Sequence, residues 1–404
     1  MNSRIKDLVV KVGSGVTPRG GAEVYQNVGV PFYRSQNVTD FGFLMDDIAH
    51  ISDEINEKMS NSKILPLDVL LNITGASIGR CYYTSEHFTH GNVNQHVCII
   101  RPIQRKISTS FLHFSIISTK GKEYIKYTQT GGNRDALTIE DIKNYSFNVP
   151  SLEDQKRIVS FLDSKLSKIG KTVSLLSQKR DAYLRLKKSI IDKAVTKGNL
   201  INSINSVEEN INLPNGCRVL RFKDVAKFVK GKQEPYYDYQ IENSEILLNV
   251  ETLRNENPTF ISYSVPSDKI RICNDQDIVV IWDGAGVGEF LNAKNGVLSS
   301  TIAKIIVNEN IMLKKYFWLW RYKIEYDLKS IPTGMGIPHL NPNLLHNTKI
   351  LVPSLEEQKN IEETINEKCA KIDAIVANVE TQIEKYNQLR KSLIDEVITG
   401  KRKV

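Results

Sequence analysis

One segment of the chain occurs twice. Residues 149–196 align without a gap with residues 352–399, 203 positions later, and 19 of the 48 aligned positions are identical. Both copies open with Val-Pro-Ser-Leu-Glu, followed by an acidic residue, a glutamine and a lysine. Because a long repeat at a fixed offset marks a repeated structural unit, the chain is predicted to contain two copies of one unit. In each copy a variable globular part precedes the repeated segment.

The repeated segment is predicted to be a long helix. Ser151 and Ser354 are each followed three residues later by an acid, Asp154 or Glu357, and this spacing indicates a capping box at the helix start. After the cap, apolar residues recur every seven positions, which predicts a coiled-coil seam. The seam residues predicted from this period are Leu162, Ile169, Leu176, Tyr183, Ile190, Ile365, Ile372, Val379, Tyr386 and Leu393.

The two predicted helices differ in charge. Residues 154–197 carry 12 basic and 4 acidic side chains, a net charge of +8, whereas residues 357–400 carry 6 basic and 9 acidic side chains, a net charge of −3. Opposite charges favour pairing of the two helices with each other, so we expect an antiparallel pair within the chain. Two independent amphipathic helices, each packed on its own domain, are the alternative.

The length and the ends of these helices follow from the sequence. Gly198 and Gly400 are predicted to end them, because glycine readily adopts the left-handed conformation at a helix C-terminus. About 44 helical residues at 1.5 Å each make a rod of roughly 65 Å, which suits a spacer. The Asn- and Ser-rich stretch 199–212 is the predicted linker to the second globular part.

The globular parts share landmarks in the same order. Thr74-Gly75-Ala76-Ser77-Ile78-Gly79 corresponds to Asp283-Gly284-Ala285-Gly286-Val287-Gly288, and Leu137 corresponds to Leu340. Short apolar runs (69–73, 96–100, 278–281, 302–307) predict strands, and 111–127 and 316–324 predict helices. The predicted fold class is mixed α/β with an internal pseudo-two-fold repeat. Its segments are a first globular domain (1–148), a central long helix (149–199), a linker with a second globular domain (200–351) and a C-terminal long helix (352–404).

Composition limits the functional classes. A net charge of +8 with a pI near 9.0 suits an anionic partner such as nucleic acid. No run of about 18 apolar residues and no apolar signal-peptide core is present, so we expect a cytoplasmic protein. Five scattered cysteines are expected to be reduced thiols.

Catalytic and cofactor motifs are weak in this sequence. The Gly284-x-Gly286-x-Gly288 spacing does not match a dinucleotide fingerprint, and a tight turn between strands is the favoured interpretation. Cys81, Cys98 and two histidines between them match no common zinc spacing. The sequence also lacks the Asn-Pro-Pro-aromatic tetrapeptide of an amino-methyltransferase, a helicase motor and a convincing nuclease cluster. We therefore expect a non-catalytic chain that binds no metal or cofactor.

Polar loop residues are the candidate DNA contacts. Arg, Asn and Gln can make paired hydrogen bonds to purine edges, and Ser or Thr can bond phosphates. For each position alone, a solvated loop residue without a specific role is the favoured alternative. The candidates are Arg34, Ser35, Asn37, Thr74, Ser77, Arg80, Asn92, Asn94, Gln95, Asn133 and Arg134 in the first domain, and Asn249, Arg254, Lys304, Thr333, Met335 and His339 in the second.

The repeated motif carries a family resemblance. With Val-Pro-Ser-Leu-Glu-(Asp/Glu)-Gln present twice, each followed by a heptad helix ending in Lys-Lys-Ser-Ile-Ile-Asp or Arg-Lys-Ser-Leu-Ile-Asp, the chain resembles the DNA specificity subunits of type I restriction-modification systems. The resemblance covers the whole length. It implies that each globular domain is a target recognition domain for one half of a split, asymmetric DNA target. The helix pair then sets the unread spacer between the halves.

The resemblance also implies partners. Two modification subunits would dock on this chain and methylate adenine with S-adenosylmethionine, and two ATP-driven restriction subunits would complete the nuclease. ATP, magnesium and S-adenosylmethionine are thus expected in the partner subunits. Two other classes remain as alternatives: a coiled-coil scaffold that does not read DNA, and an enzyme that itself acts on nucleic acid.

Overall fold

A computed structural model describes residues 2–129, 136–196, 216–329 and 338–404 of the chain. The predicted linker 199–212 and the predicted helix end at Gly198 lie outside these residues. The chain forms two compact units, Met1–Ser177 with Glu380–Val404, and Gln178–Val379. Each unit therefore combines a globular part with one half of each long helix.

The first globular part alternates short strands with short helices. Its strands are β1 Asn2–Arg4, β2 Val9–Ser14, β3 Val30–Tyr33, β4 Val38–Thr39, β5 Gly42–Phe43, β6 Ala49–Ile51, β7 Val69–Asn72, β8 Cys81–Tyr83, β9 Asn92–Val93, β10 Val97–Pro102 and β11 Ser146–Asn148. Its helices are α1 Ile5–Leu8, α2 Asp53–Lys58, α3 Thr109–Ile117, α4 Thr119–Thr128 and α5 Ile139–Asn144. The long helix α6 Leu152–Thr196 follows directly.

The second globular part has the same alternation. Its strands are β12 Arg218–Arg221, β13 Ala226–Lys230, β14 Glu245–Leu248, β15 Tyr263–Ser264, β16 Ile272–Cys273, β17 Ile278–Ile281, β18 Phe290–Asn292, β19 Gly296–Leu298, β20 Ile302–Val307 and β21 Lys349–Val352. Its helices are α7 Phe222–Val225, α8 Val250–Arg254, α9 Lys314–Lys329 and α10 Pro342–Asn347, and the chain continues into the long helix α11 Leu355–Ile398.

The sheets of the two parts repeat the same topology. A four-stranded antiparallel sheet has the order β2-β10-β7-β8 in the first part and β13-β20-β17-β18 in the second. Each part also has a separate two-stranded antiparallel ribbon, formed by β1 and β11 in the first part and by β12 and β21 in the second. Parallel pairing occurs once in each part among the described strands, between β3 and β9 and between β14 and β19. The structure thus confirms the mixed α/β class and the internal repeat.

The central strands of these sheets form the cores. Val69–Asn72 and Ile278–Ile281 are buried at every residue, as continuous apolar runs predict for strands covered on both faces. Helix α3 packs on the first sheet through Phe111 and Leu112, and Trp320 is fully buried in the core of the second part. These cores hold the turns that follow β7 and β17 in fixed positions.

The helix predicted over 111–127 is wrong as a single helix. Two helices occupy this stretch, and they meet at Ser118, whose backbone is extended (φ −60°, ψ 159°). The Ser118 hydroxyl accepts a hydrogen bond from the Gly121 N–H at 3.2 Å and caps the second helix. A serine that caps a new helix offers the backbone an alternative to continuing the old one, and the apolar pattern of this stretch alone does not reveal the break.

The repeated motif anchors each long helix to its globular part. Ser151 and Ser354 accept hydrogen bonds from the N–H groups of Asp154 and Glu357, both at 3.2 Å, as predicted for N-terminal caps. The motif glutamines, Gln155 and Gln358, are completely buried. Each helix start is therefore fixed by a cap on the surface and a buried amide beneath it.

The two buried glutamines make the same hydrogen bonds. The Gln155 Oε1 accepts from the Ser108 N–H at 2.8 Å, and its Nε2 donates to the Pro150 carbonyl at 3.0 Å and to the Lys106 carbonyl at 3.4 Å. The Gln358 Oε1 accepts from the Leu313 N–H at 2.8 Å, and its Nε2 donates to the Pro353 carbonyl at 3.0 Å and to the Ile311 carbonyl at 2.9 Å. These bonds tie the helix to the loop before α3 or α9.

Within each unit the two long helices run antiparallel. In the first unit, Leu162 and Ile169 near the start of α6 pack with Leu393 and Val397 near the end of α11. The second unit shows the reciprocal arrangement, in which the end of α6 packs on the start of α11. The alternative of two independent helices does not agree with this packing.

The predicted seam residues lie on the packed faces of these helices. Six of them are buried, namely Leu162, Ile169, Ile365, Ile372, Val379 and Leu393. The other four are half-buried, namely Leu176, Tyr183, Ile190 and Tyr386. In the second unit, Lys187 of α6 donates to both carboxylate oxygens of Asp373 of α11 at 2.7 Å. The charge difference between the helices thus appears as a specific ion pair.

No described helix is long and apolar enough to cross a membrane. All five cysteines are buried free thiols. Burial raises the pKa of Cys98 to about 12 and that of Cys273 to about 11. These thiols are therefore protonated at neutral pH and inert as nucleophiles.

Replacing either motif glutamine with alanine will destabilise its unit. Gln155→Ala leaves the Ser108 N–H and the Pro150 carbonyl, both in partly buried residues, without their amide partner, and each unsatisfied buried group costs about 1–3 kcal/mol. We expect Gln155→Ala and Gln358→Ala each to lower the free energy of unfolding by about 2–4 kcal/mol in urea titrations. The exposed Gln388→Ala is the matched control, with an expected change within about 0.5 kcal/mol. Equal effects at all three positions would contradict the anchoring role.

Candidate functional site

The same glycine turn follows the buried strand in both parts. The Gly79 N–H donates to the Asn72 carbonyl at 2.8 Å, and the Gly288 N–H donates to the Ile281 carbonyl at 2.8 Å. Both glycines have φ +82°, in the left-handed region that favours glycine. The turns join β7 to β8 and β17 to β18, as predicted for the glycine clusters.

A second segment holds the same turn in place. The Leu137 N–H donates to the Ile73 carbonyl at 2.9 Å, and the Leu340 N–H donates to the Trp282 carbonyl at 2.8 Å. The residues beside these bonds form isolated bridges, Thr74 with Ala136 and Asp283 with His339. The same main-chain hydrogen bonds thus hold the turn in both parts, whereas the side chains on the turn differ between them.

In the first part this frame builds a polar cleft of about 360 Å³. It brings together the predicted contacts Ser35, Thr74, Ser77 and Arg80, together with His96. Arg80 is exposed, and no ion pair involves it among the described residues. Hydroxyl groups and an unpaired guanidinium on one concave surface suit phosphate and base-edge recognition.

His96 was not among the predicted contacts. The Thr74 Oγ1 lies 2.6 Å from the His96 Nδ1, and the Gln95 Nε2 lies 3.0 Å from the His96 Nε2. The histidine therefore orients both polar neighbours at the wall of the cleft. Its sequence signal is its position directly before a strand, next to the predicted contacts Asn94 and Gln95.

The remaining candidates of the first part divide by exposure. Arg34 is half-buried and donates to the main-chain carbonyl of Asp47 at 2.8 Å and to its carboxylate at 3.2 Å. Asn37 is 1% exposed, and its amide donates to the carbonyls of Leu44 and Asp47. Gln95 is exposed beside the cleft residue His96. Asn37 thus stabilises the loop that carries Ser35.

Asn92 and Asn94 also lie beneath the surface. Asn92 is fully buried on β9, where its Nδ2 donates to the Asn56 Oδ1 at 3.0 Å and to the Met59 carbonyl at 3.2 Å. The Asn94 Oδ1 accepts from the His96 N–H at 3.2 Å. Both amides fix the backbone beside the cleft, whereas the candidates Arg80 and Gln95 are exposed.

The second part presents a different set of side chains on the same frame. Asp283 accepts from Lys230 at 2.9 Å and lies 2.7 Å from the His339 Nδ1. Burial disfavours the charged form of the Asp283 carboxyl, but the hydrogen bonds from His339 and Lys230 outweigh this effect and lower its pKa. Arg254 forms an ion pair with Glu289, the residue that follows Gly288 as Arg80 follows Gly79. This surface alternates charges, whereas the first cleft carries an unpaired arginine.

Two candidates of the second part have structural roles. Lys304 lies on the central strand β20 with its side chain 16% exposed, and it forms a 2.7 Å ion pair with the buried Asp277. Asn249 caps α8 by accepting from the Thr252 N–H at 2.9 Å. Neither side chain is brought to the turn that carries Asp283 and His339.

Four candidates, Asn133, Arg134, Thr333 and Met335, lie outside the described residues. Among the residues that the structure describes, no three His, Cys, Asp or Glu side chains are placed to hold a metal ion. Cys81 and Cys98 are part of the apolar core of the first sheet, while His87 is exposed beside Glu86.

Comparison with known proteins places the chain in a family. The family model "Type I restriction modification DNA specificity domain" matches residues 1–180 and 214–385, once for each copy of the unit. The chain belongs to this family, as the repeated motif predicts.

Named relatives agree with this assignment. The type I restriction enzyme MjaVIII specificity subunit of Methanocaldococcus jannaschii is 32% identical over 190 residues, which are 47% of this chain and 43% of that subunit. The putative type I restriction enzyme MjaX specificity subunit of the same organism is 22% identical over 418 residues, 99% of this chain and 93% of that subunit. The StySPI specificity subunit of Salmonella potsdam is 22% identical and aligns with 92% of this chain and 82% of its own length.

A solved structure shares the fold. It is described as "Structural basis underlying complex assembly and conformational transition of the type I R-M system", and it superimposes with a TM-score of 0.70 over all of this chain and 98% of that one. At 15% sequence identity this likeness shows the fold alone. Family and fold together disfavour the scaffold alternative.

Replacing Asn92 with alanine will destabilise the first unit. The change leaves the Asn56 Oδ1 and the Met59 carbonyl without their amide donor, at a cost of about 1–3 kcal/mol. We expect a lower midpoint of thermal unfolding. Ser77→Ala, a change in the cleft itself, is the control and is expected to alter the free energy of unfolding by less than about 0.5 kcal/mol. If the Asn92→Ala variant is as stable as the unchanged protein, the structural role of Asn92 is contradicted and Asn92 remains a candidate DNA contact.

Proposed function

We propose that this chain is the non-catalytic, sequence-reading subunit of a type I restriction-modification complex. The observation that carries the proposal is the glycine turn that is framed identically in both parts and bears different side chains. Two domains that recognise different DNA sequences require the same backbone support with different polar side chains on it. The two half-sites therefore differ, and the target is asymmetric.

In the first part, Arg80 is the proposed base-reading residue. An exposed arginine can make two hydrogen bonds to a guanine edge in the major groove, and the cleft hydroxyls of Ser35, Thr74 and Ser77 suit phosphate oxygens. In the second part, Arg254 and His339 are the proposed contacts. Their acidic partners Glu289 and Asp283 fix the orientation of these side chains and also suit the amino groups of cytosine or adenine.

The proposed partners are two modification subunits and two restriction subunits. The names of the relatives, which are specificity subunits of type I restriction enzymes, support such an assembly. Adenine methylation would take place in the modification subunits with S-adenosylmethionine, and ATP and magnesium would serve the restriction subunits. This chain contributes recognition and docking, and we propose that it binds no cofactor.

An exchange of the first domain tests the proposal. A host that expresses this chain with its modification subunit is compared with a host in which residues 1–148 come from a relative, and the methylated adenines of both genomes are mapped by single-molecule sequencing. We expect a split motif of which only one half changes. If the complex assembles and no motif is methylated, the scaffold alternative is correct.

Arg80→Ala will weaken binding to the cognate target and relax one base position. The loss of a paired contact to a guanine costs about 1–3 kcal/mol, or roughly 5- to 150-fold in affinity. Fluorescence anisotropy of the complex with the modification subunit, at fixed salt, measures the change. Arg105→Ala removes another exposed arginine, outside the cleft, and is the control. If both variants lose affinity equally on cognate and random DNA, Arg80 supplies charge and not sequence reading.

A further inference from the structure

A cavity of about 350 Å³ lies in the first unit, between the globular part and the two long helices. Its walls are aromatic. The rings of Tyr82 and Tyr83 stack with centroids 4.9 Å apart, and the His113 ring lies 5.4 Å from Tyr82 and 5.1 Å from Phe114. This volume is within the range of small-molecule sites.

One wall carries a buried polar atom without a partner. His113 is 1% exposed, and its Nδ1 has no hydrogen-bond partner among the described residues. Burial is the main reason that the pKa of His113 falls to about 3, so the ring is neutral at physiological pH. A buried polar atom normally has a partner, and an orphaned one beside a cavity points to a ligand atom.

A cation without an acid lies at one end of the cavity. The Arg390 guanidinium stacks over Phe41 at 4.5 Å, its Nε is buried, and no described residue accepts a hydrogen bond from that nitrogen. Burial lowers the pKa of Arg390. A partly desolvated guanidinium gains most from an anion that can accept its hydrogen bonds.

The second unit has an ion pair at the position that corresponds to Arg390. The repeat offset of 203 pairs Arg390 with Lys187 and Gly170 with Asp373. Lys187 is neutralised by Asp373 at 2.7 Å, whereas the corresponding position in the first unit is Gly170, which has no side chain to offer. The first unit therefore keeps the cation, lacks its carboxylate and has an open cavity at that place.

The acids of the cavity are arranged differently. Asp40 is already bonded, since Lys122 donates to both of its oxygens at 2.8 Å and the Cys81 N–H donates at 3.0 Å. Asp163 lies seven residues before Gly170 on the same helix, about 10 Å along its axis. The cavity thus has a cation at one end, a carboxylate at the other and aromatic rings beside them.

We propose that this cavity binds a small heteroaromatic ligand that carries an anionic group, of the class of purine mononucleotides. The planar ring packs against Tyr82 and His113, and an amino group on the ring donates to Asp163. The anionic group accepts hydrogen bonds from Arg390. Because its walls come from the globular part and from both helices, a bound ligand would stiffen their junction.

Titration calorimetry of the full-length chain with AMP tests the proposal, and adenosine and inorganic phosphate serve as part-ligands. We expect AMP to bind one site and both part-ligands to bind at least about tenfold more weakly. Gly170→Asp places the missing carboxylate beside Arg390, and Arg390→Met removes the charge while retaining an apolar side chain. Each is expected to weaken AMP binding by roughly 10- to 100-fold.

Ser160→Asp is the matched control, because it adds one carboxylate to an exposed position of the same helix. It is expected to leave AMP binding unchanged, and Gly170→Asp is expected to raise the midpoint of thermal unfolding by creating an ion pair. The proposal is overturned by the absence of AMP binding at millimolar concentration. It is equally overturned if phosphate alone binds as tightly as AMP, or if Gly170→Asp retains full affinity.

Discussion

The buried glutamine at the start of each long helix is the interaction on which the rest of the structure depends. A primary amide in an apolar interior is stable only if its donors and acceptor are bonded, so Gln155 and Gln358 accept one fixed geometry. That geometry joins the helix start, the strand that leads into it and the loop before α3 or α9. Since Gln155 lies in the first turn of a 45-residue helix, a small change of angle at the helix start would be amplified along its length.

The antiparallel packing extends this constraint to the opposite end of the chain. The first unit contains the start of α6 and the end of α11, so residues far apart in the sequence share one core. Thr119 of the globular part, for example, donates its N–H to Asp395 of α11 at 2.6 Å. Each globular part is therefore anchored by its own helix and held also by the helix of the other copy.

The sequence predicts those features that depend on periodicity or on backbone geometry. Serine caps, heptad positions and glycine turns each leave a local signature, because a specific spacing or a positive φ requires them. Side-chain direction at single polar positions, in loops or in short strands, leaves no such signature. Asn37, Asn92 and Lys304 looked like surface contacts because they are polar, yet they bond carbonyls and a buried acid. For Gln155, the sequence shows that the residue is repeated but does not show that it is buried. Its burial depends on the loop at Ser108, 47 residues away.

The two copies differ in the side chains on the glycine turns, and main-chain hydrogen bonds hold these turns in place. The turns after β7 and β17 are held by main-chain bonds from Gly79, Leu137, Gly288 and Leu340, so side chains on these turns can change without loss of the fold. Arg80 and Glu289 occupy the same place on this frame and have opposite charge. A guanidinium can donate to guanine and a carboxylate can accept from cytosine or adenine, so under the proposed function this exchange suits the two copies to different bases. The residues that anchor the long helices, Gln155 and Gln358, are in contrast the same in both copies. Their hydrogen bonds are made by the side-chain amide itself and not by the main chain.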